Sequence, residues 1–437
     1  MERTRSEILP GVWLSHLRSD KFKTACLSLN LLTQLKRETA AMNALIPYVL
    51  RRGTTAYGDM EALSARMDEL YGTAIEPVVR RIGEIQCLGF YASVPEGEFL
   101  PGKKDVLRPA VELLGQMLLS PNTRGGLLLP QYVDSEREKL LEMIRSRINE
   151  KRSYALFRCV EEMCCYEDFA VSRLGGEAEA EAINYKKLTR QYRSLLQTCP
   201  IEIFYCGRES VKKVTAVLRD ALVTLPRGEI DYEIGTDLRM NALEDQPRFV
   251  KEEMDVTQAK LVIGWRLGDC MEDPDQAALN VFNCVFGSGS TSKLFLNVRE
   301  KMQLCYYAGS LVDTQKGLML VSSGIEQEQF EPARDEIFAQ LEAMRRGEIS
   351  DEELQSAKAG VASDLRGLMD SQGGLEGFTL SQTLAGLDYG PMELASLVED
   401  VTKEDVVGIA ESVDCDLIYL LCPSGEGEEE EDNDADA

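Results

Sequence analysis

The sequence is poor in histidine, with His16 alone among its 437 residues. Imidazole nitrogens are the usual non-thiolate ligands of zinc, so a zinc site built on two histidines is excluded for this chain. The twelve cysteines contain no Cys-x-x-Cys pair, so their spacing indicates no thiolate cluster either. We predict that His16 is a structural residue on the first strand, near the surface.

Long apolar runs are also missing. No stretch of about 18 apolar residues could form a membrane-spanning helix, and the first seven residues lead into no apolar signal core. Scattered cysteines in a chain without such a segment are typical of reduced, packed thiols. These absences predict a cytoplasmic protein that does not associate with membranes.

Positive charge is scarce: 48 Lys and Arg residues stand against 74 Asp and Glu residues, for a formal net charge of −26. An acidic body repels phosphate backbones, so nucleic acid is excluded as a partner. Eight of the acids lie in the tail from 425 to 437, which has no apolar residue larger than alanine. We predict that this tail is disordered.

The length exceeds the roughly 250–300 residues that one hydrophobic core usually serves. The stretch 224–246 is rich in Pro, Gly, Asp and Glu and predicts a linker between a domain at 1–223 and a domain at 247–424. The same order of strands and helices starts again after it, and Gly53 and Gly287 match at an offset of 234, as do Leu70 and Leu304. We therefore predict an α+β fold of two homologous halves, each a mostly antiparallel β-sheet covered on one face by helices.

The second half carries a motif of moderate specificity. It reads Gly-Ser-Gly-Ser from Gly287, Ser288, Gly289 and Ser290 into a helix, and then Val-Arg-Glu-Lys-Met-Gln-Leu-Cys-Tyr from Val298 to Tyr306. This resembles the insulinase, pitrilysin and mitochondrial-processing-peptidase family, called M16. The resemblance extends over the whole chain except the acidic tail. It implies the LuxS/MPP-like metallohydrolase fold, with two halves in a clamshell arrangement.

The first half resembles the same family but lacks the residues of its zinc motif. Active members carry His-x-x-Glu-His on a helix before a Gly-Thr, with two histidines holding zinc and the glutamate activating water. Counted back from Gly53-Thr54, these three positions fall on Ala44, Pro47 and Tyr48. None can replace the family residue, and Pro47 is predicted to bend or shorten the helix.

The third zinc ligand of the family is a glutamate that follows a Glu-Arg pair. That pair is Glu136-Arg137 here, and the ligand position falls on Met143, with Glu142 next to it. A carboxylate at Glu142 would not restore a site that has no imidazole. We therefore expect this chain to bind no zinc and to be inactive as a peptidase on its own.

Arg299 and Tyr306 match a pair that the family uses across the chamber from the zinc. The resemblance implies that they bind the substrate backbone and that the tyrosine donates a hydrogen bond to the tetrahedral intermediate. The alternative is that Arg299 makes a surface ion pair and Tyr306 fills the core. The loop at 287–290 lacks the Lys-Ser/Thr of a phosphate-binding loop, and the pair Arg51-Arg52 is predicted to be a solvated helix end.

The sequence is most similar to the inactive, YmfF/YfmF-type members of the family. This resemblance implies a non-zinc subunit that forms a heterodimer with a zinc-bearing homologue around an extended peptide, with zinc only in that partner. Arg299 and Tyr306 would support catalysis there. The alternatives are a scaffold of the same fold without a role in proteolysis, a homodimer when the chain is alone, and a stand-alone peptidase with another metal site.

Overall fold

A computed structural model of the chain describes residues 3–424. The acidic tail lies outside the described residues. The strands are β1 Arg3–Leu9, β2 Val12–Arg18, β3 Thr24–Gln34, β4 Ala74–Ile82, β5 Ile85–Pro95, β6 Thr123–Arg124, β7 Leu127–Leu128, β8 Ile201–Gly207, β9 Arg248–Met254, β10 Ala259–Arg266, β11 Cys305–Asp313, β12 Leu318–Ile325 and β13 Asp414–Pro423.

The α-helices follow the periodic segments of the sequence. They are α1 Arg37–Leu50, α2 Met60–Glu69, α3 Leu107–Leu119, α4 Pro130–Arg145, α5 Lys151–Met163, α6 Glu177–Glu181, α7 Tyr185–Thr198, α8 Val211–Ala221, α9 Gln276–Asn283, α10 Phe330–Arg345, α11 Asp351–Leu368, α12 Gln372–Leu384, α13 Pro391–Asp400 and α14 Lys403–Ser412. Two segments, Cys284–Ser288 and Leu294–Lys301, are π-helical.

Two large sheets repeat one strand order. The first is β1-β2-β8-β3-β5-β4 and the second, read from its other edge, is β9-β13-β10-β12-β11. In each sheet one pair is parallel, β2 with β8 and β9 with β13, and the remaining pairs are antiparallel. The prediction of two homologous, mostly antiparallel halves is confirmed, with β1 as an additional edge strand on the first sheet.

The chain divides into two compact units that are not continuous in sequence. Within the described residues, the first contains 3–146, 166–237 and 363–395, and the second contains 147–165, 238–362 and 396–424. Helix α5 thus belongs to the second unit, although it precedes the predicted linker, and α12 belongs to the first, although it follows it. The continuous ranges read from the sequence did not anticipate this exchange of segments.

The first sheet is buried on both faces because successive side chains of a strand point to opposite sides. Leu27 and Leu29 of β3 belong to the main core, which also contains residues of α1, α3, α7 and α8. On the other face, Cys26 packs in a small cluster with Leu375 of α12. The expectation that helices cover one face only is therefore wrong for this sheet.

The second sheet shows the same arrangement. Trp265 of β10 contacts the rings of Phe286 and Phe338 on one face. On the other face, α5 approaches the neighbouring residue Gly264, where an added Cβ would lie 2.6 Å from the Sδ atom of Met163. Glycine at this position permits the close contact between helix and strand.

Candidate functional site

Helix α1 contains the residues that correspond to the family's two zinc-binding histidines and its water-activating glutamate. It runs through Pro47 and ends at Leu50, so Pro47 does not shorten the helix. Ala44 is fully buried among the core residues that α1 contributes. Tyr48 is half-buried, and burial raises the pKa of its hydroxyl, which therefore stays protonated at neutral pH.

The helix is packed where a metal site would need ligands. Asn43, next to Ala44, donates to Gln86 at 2.9 Å and accepts from Gln191 at 2.7 Å. Gln86 in turn donates to the carbonyl oxygen of Ala40 at 3.0 Å. This network of amides satisfies its own hydrogen bonds and contains no zinc-binding nitrogen.

Helix α4 carries the position of the third family ligand. Met143 is 38% exposed and lies with Tyr48 on the wall of one cavity, whereas Glu142 is exposed and is not among the lining residues. Between residues 3 and 424, no group of three or more His, Cys, Asp or Glu side chains is arranged to hold a metal ion. Alanine, tyrosine and methionine at the three ligand positions do not fit zinc, and proline in place of the glutamate cannot activate water.

The first turn after α1 contributes the cationic part of the cavity. The side chains of Arg51 and Arg52 are 12% and 25% exposed, so the prediction of a solvated helix end is wrong. Arg52 donates to the buried carboxylate of Glu136 at 3.1 Å, and Lys139 lies 2.8 Å from the same carboxylate oxygen. The pattern Glu136-Arg137 marked this helix in the sequence, but nothing there indicated Arg52 as the partner.

His16 lies away from this cavity and is structural. It is 4% exposed because β2 lies between β1 and β8, so the prediction of a position near the surface is wrong. Its Nε2 donates to the carbonyl oxygen of Glu209 at 2.9 Å, and its ring stacks on Tyr205. Burial is the main reason why its pKa lies below the usual value.

In the second unit, Arg299 lies on the π-helical segment Leu294–Lys301. Its side chain is 42% exposed, its Nε is 3.6 Å from the carboxylate of Glu300, and its guanidinium lies 4.8 Å from the centre of the Phe295 ring. An exposed pair of this kind contributes little to stability. The surface ion pair of the alternative interpretation is therefore present, with Glu300 as the partner, and it leaves Arg299 accessible to solvent.

Tyr306 occupies a β-bulge at the start of β11, the edge strand of the second sheet. Cys305 pairs with Ile325 and Tyr307 pairs with Gly324, so Tyr306 is the extra residue, and it is 67% exposed. A bulge redirects a side chain and is frequent next to functional sites. Tyr306 does not fill the core, so the alternative interpretation of this residue is wrong.

The glycine-serine segment at 287–290 packs against the edge strand β11. Gly287 and Ser288 end the first π-helical segment, and the amide of Gly289 donates to the carbonyl oxygen of Cys284 at 3.2 Å. A Cβ added to Gly287 would lie 2.6 Å from the amide nitrogen of Ser310 on β11. Gly287 therefore permits close packing of the segment against the strand.

Cys305 shows no sign of activation. Burial raises the pKa of its thiol, which keeps the thiol protonated. All twelve cysteines are free thiols. No described helix is long and apolar enough to cross a membrane.

Comparisons with known proteins agree with this picture. A family model described as the peptidase M16 inactive domain matches residues 182–361. A relative from Bacillus subtilis (strain 168), described as "Probable inactive metalloprotease YmfF", is 32% identical over 412 residues, which are 94% of this chain and 96% of the relative.

Among solved structures, a conserved protein from Enterococcus faecalis V583 is similar with a TM-score of 0.87 at 25% identity, over 98% of this chain and all of that one. The periplasmic protease PqqL from Escherichia coli is similar with a TM-score of 0.70 at 13% identity, over 97% of this chain but 48% of that chain. The chain belongs to the M16 peptidase family, as an inactive homologue whose zinc-ligand positions carry no ligands.

Proposed function

We propose that the chain is the non-zinc subunit of a two-chain peptide-processing assembly. A zinc-bearing homologue would supply the metal, the general base and the water. This chain would supply Arg299, Tyr306 and an edge strand along which an extended peptide can lie. The observation that carries the proposal is the exposure of Tyr306, at 67%, on a bulge of the edge strand. The same chain has no imidazole and no carboxylate at its zinc-ligand positions.

The polar groups of the two residues are suited to stabilising negative charge. The tyrosine hydroxyl and the guanidinium are both hydrogen-bond donors. In the proposed assembly, contact with the peptide and the partner subunit would hold these two exposed donors in place, as stabilisation of an oxyanion requires. The edge strand β11 leaves main-chain groups unpaired on one side, which is how a sheet accepts an added strand. Both features lie in the second unit, within 15 residues of sequence from Arg299 to Asp313.

The length of the chain also supports pairing. It matches 48% of the E. coli protease, so a chain of this size corresponds to about half of that protein. A second chain of similar fold would supply the remaining half. The similarity at 13% identity bears on fold alone, and the identity of the partner is part of the proposal.

The test is a cleavage assay on a mixture of this chain and a zinc-bearing M16 homologue from the same organism. We expect cleavage by the mixture, and a fall in kcat of about a hundredfold for Arg299→Ala or Tyr306→Phe. Matched controls are Arg346→Ala, an exposed arginine paired with Glu348, and Tyr232→Phe, an exposed tyrosine. Rates that are the same for the four variants would contradict the catalytic role and favour a scaffold without a part in proteolysis.

A further inference from the structure

The cavity at the former zinc position has its own chemistry. It has a volume of about 270 Å³ and is lined by Tyr48, Arg51, Arg52, Met60, Glu76, Pro77, Glu136, Lys139, Leu140 and Met143. These residues come from α1 and the turn after it, α2, β4 and α4 of the first unit. The volume lies just below the range of roughly 300–1,000 Å³ that is usual for small-molecule sites, so it fits a group of about one residue.

One part of the wall is apolar. Met60, Leu140 and Met143 line it together with Pro77, and Met60 and Met143 are 40% and 38% exposed. Methionine side chains adapt to irregular apolar groups and are common at binding surfaces that accept several partners. This part of the cavity is suited to an aliphatic side chain.

The other part of the wall has donors that lack acceptors. The Nη1 atom of Arg51 and the Nε atom of Arg52 are buried and have no hydrogen-bond partner in the described part of the chain. The half-buried Tyr48 also lines this cavity, and its protonated hydroxyl is a further donor. Buried polar groups are nearly always paired, so two unpaired guanidinium nitrogens beside one cavity indicate a missing acceptor.

The charges of the lining favour an anion over a cation. Three cationic side chains, those of Arg51, Arg52 and Lys139, face two carboxylates. The oxygen of Glu136 is already engaged by Arg52 and Lys139, and Glu76 is 64% exposed and 3.7 Å from Arg51. A guanidinium binds a carboxylate through parallel N–H donors, which is the strongest pairing that this wall could make.

We propose that this cavity binds the free carboxylate of an aliphatic carboxy-terminal residue of a peptide. The carboxylate would accept from Tyr48, Arg51 and Arg52, and the aliphatic side chain would lie against Met60, Leu140 and Met143. The inference deepens the proposed function, on which it rests for its biological role, by naming the part of a peptide that this chain holds. The binding itself needs no partner subunit.

Isothermal titration of the full chain with acetyl-Ala-Ala-Leu and with its carboxy-terminal amide tests the proposal. We expect the free acid to bind at least about tenfold more tightly, because a hydrogen bond to a charged group is lost with the amide. A third ligand, 4-methylpentanoate, offers the same chemistry as a free small acid and should bind more weakly than the peptide. Equal binding of acid and amide, or no saturable binding of the acid, would overturn the proposal, and tighter binding of 4-methylpentanoate would overturn the assignment to a peptide.

Two variants locate the site. Met60→Glu puts a negative charge on the cavity wall and should weaken binding of the free acid at least tenfold. Met60 is the first residue of α2, where an acidic side chain interacts favourably with the helix dipole, so we expect the variant to fold. Its matched control is Met392→Glu, an exposed methionine in the first turn of α13, which should leave binding unchanged. Tyr48→Phe keeps the ring and removes one hydrogen-bond donor. It should weaken binding of the free acid more than binding of the amide.

Unfolding temperatures of the three variants show whether each is folded. Equal losses from Met60→Glu and Met392→Glu would overturn the location of the site. The titration uses the isolated chain, whereas the proposed function is tested by cleavage in the mixture. A negative titration therefore does not contradict the proposed function, and absence of cleavage by the mixture does not contradict binding of the carboxylate.

Discussion

The carboxylate of Glu376 accepts a hydrogen bond from each terminal nitrogen of the Arg80 guanidinium, and both N···O distances are 2.7 Å. Glu376 lies on α12 and is 2% exposed, and Ser28 of β3 donates to it at 2.7 Å. Gln372, one turn earlier, donates to the carbonyl oxygens of Thr24 and Cys206. A helix from the second half of the chain is thus fixed to the second face of the first sheet by buried polar contacts.

This ion pair predicts a large loss of stability in Glu376→Gln. The variant leaves the guanidinium of Arg80, whose side chain is 25% exposed, without its carboxylate. Removal of one partner from a buried pair costs about 3 kcal/mol at the lower end of the known range. Urea unfolding measures the change.

The control is Glu69→Gln, which breaks a pair with Arg66 in which the glutamate side chain is 67% exposed. Exposed pairs of this kind contribute less than about 1 kcal/mol. Similar losses in the two variants would show that Glu376 does not hold α12 in place.

A second buried cluster fixes the C-terminal strand of the second unit. Asp416 of β13 is 2% exposed and accepts from Arg266 at 2.9 Å and from Arg248 at 2.8 Å. Asp416→Ala removes the buried carboxylate that both arginines share and should lower the free energy of unfolding by about 4 kcal/mol. Asp414→Ala, at an exposed position of the same strand, is the control and should cost less than about 1 kcal/mol. The prediction fails if the midpoint of urea unfolding moves equally in both.

The single histidine predicts a pH dependence of stability. Burial lowers the pKa of His16 below its usual value of about 6.5, so the unfolded chain binds the proton first as the pH falls. The stability from neutral His16 is complete above about pH 6.5 and is lost as the pH falls toward the lower, folded-state pKa. His16→Gln should remove this loss between about pH 7.5 and pH 5.5, and urea unfolding across that range is the measurement. An identical pH dependence in both proteins would contradict the assignment.

The sequence predicts most strands and helices because their apolar residues recur with a clear period. It misses β1, whose residues Arg3–Leu9 are mostly polar and exposed because the strand lies at the edge of its sheet. It also misses the exchange of α5 and α12, since amphipathic periodicity shows that a helix packs but not which sheet it covers. The sheet that each of these helices covers depends on contacts between residues far apart in the chain, whereas β1 pairs locally with β2.

The sequence predicts which zinc-site residues are missing, but it does not predict the contacts that the structure shows in their place. Ala44, Pro47, Tyr48 and Met143 follow from counting along the family motif. The buried position of Arg52 beside Glu136 does not, because the two residues lie 84 positions apart. Likewise, the spacing of Arg299 and Tyr306 is visible in the sequence, whereas the bulge that exposes Tyr306 appears only when β11 is paired with β12.

The measurement that tests the account most directly is the zinc content of the isolated chain, taken together with its peptidase activity. The side chains at the family's ligand positions offer no imidazole and no carboxylate, so zinc should be far below one atom per chain. Peptide cleavage should be absent, and a chelator should leave the unfolding temperature unchanged. Stoichiometric zinc with chelator-sensitive cleavage by the chain alone would contradict the account.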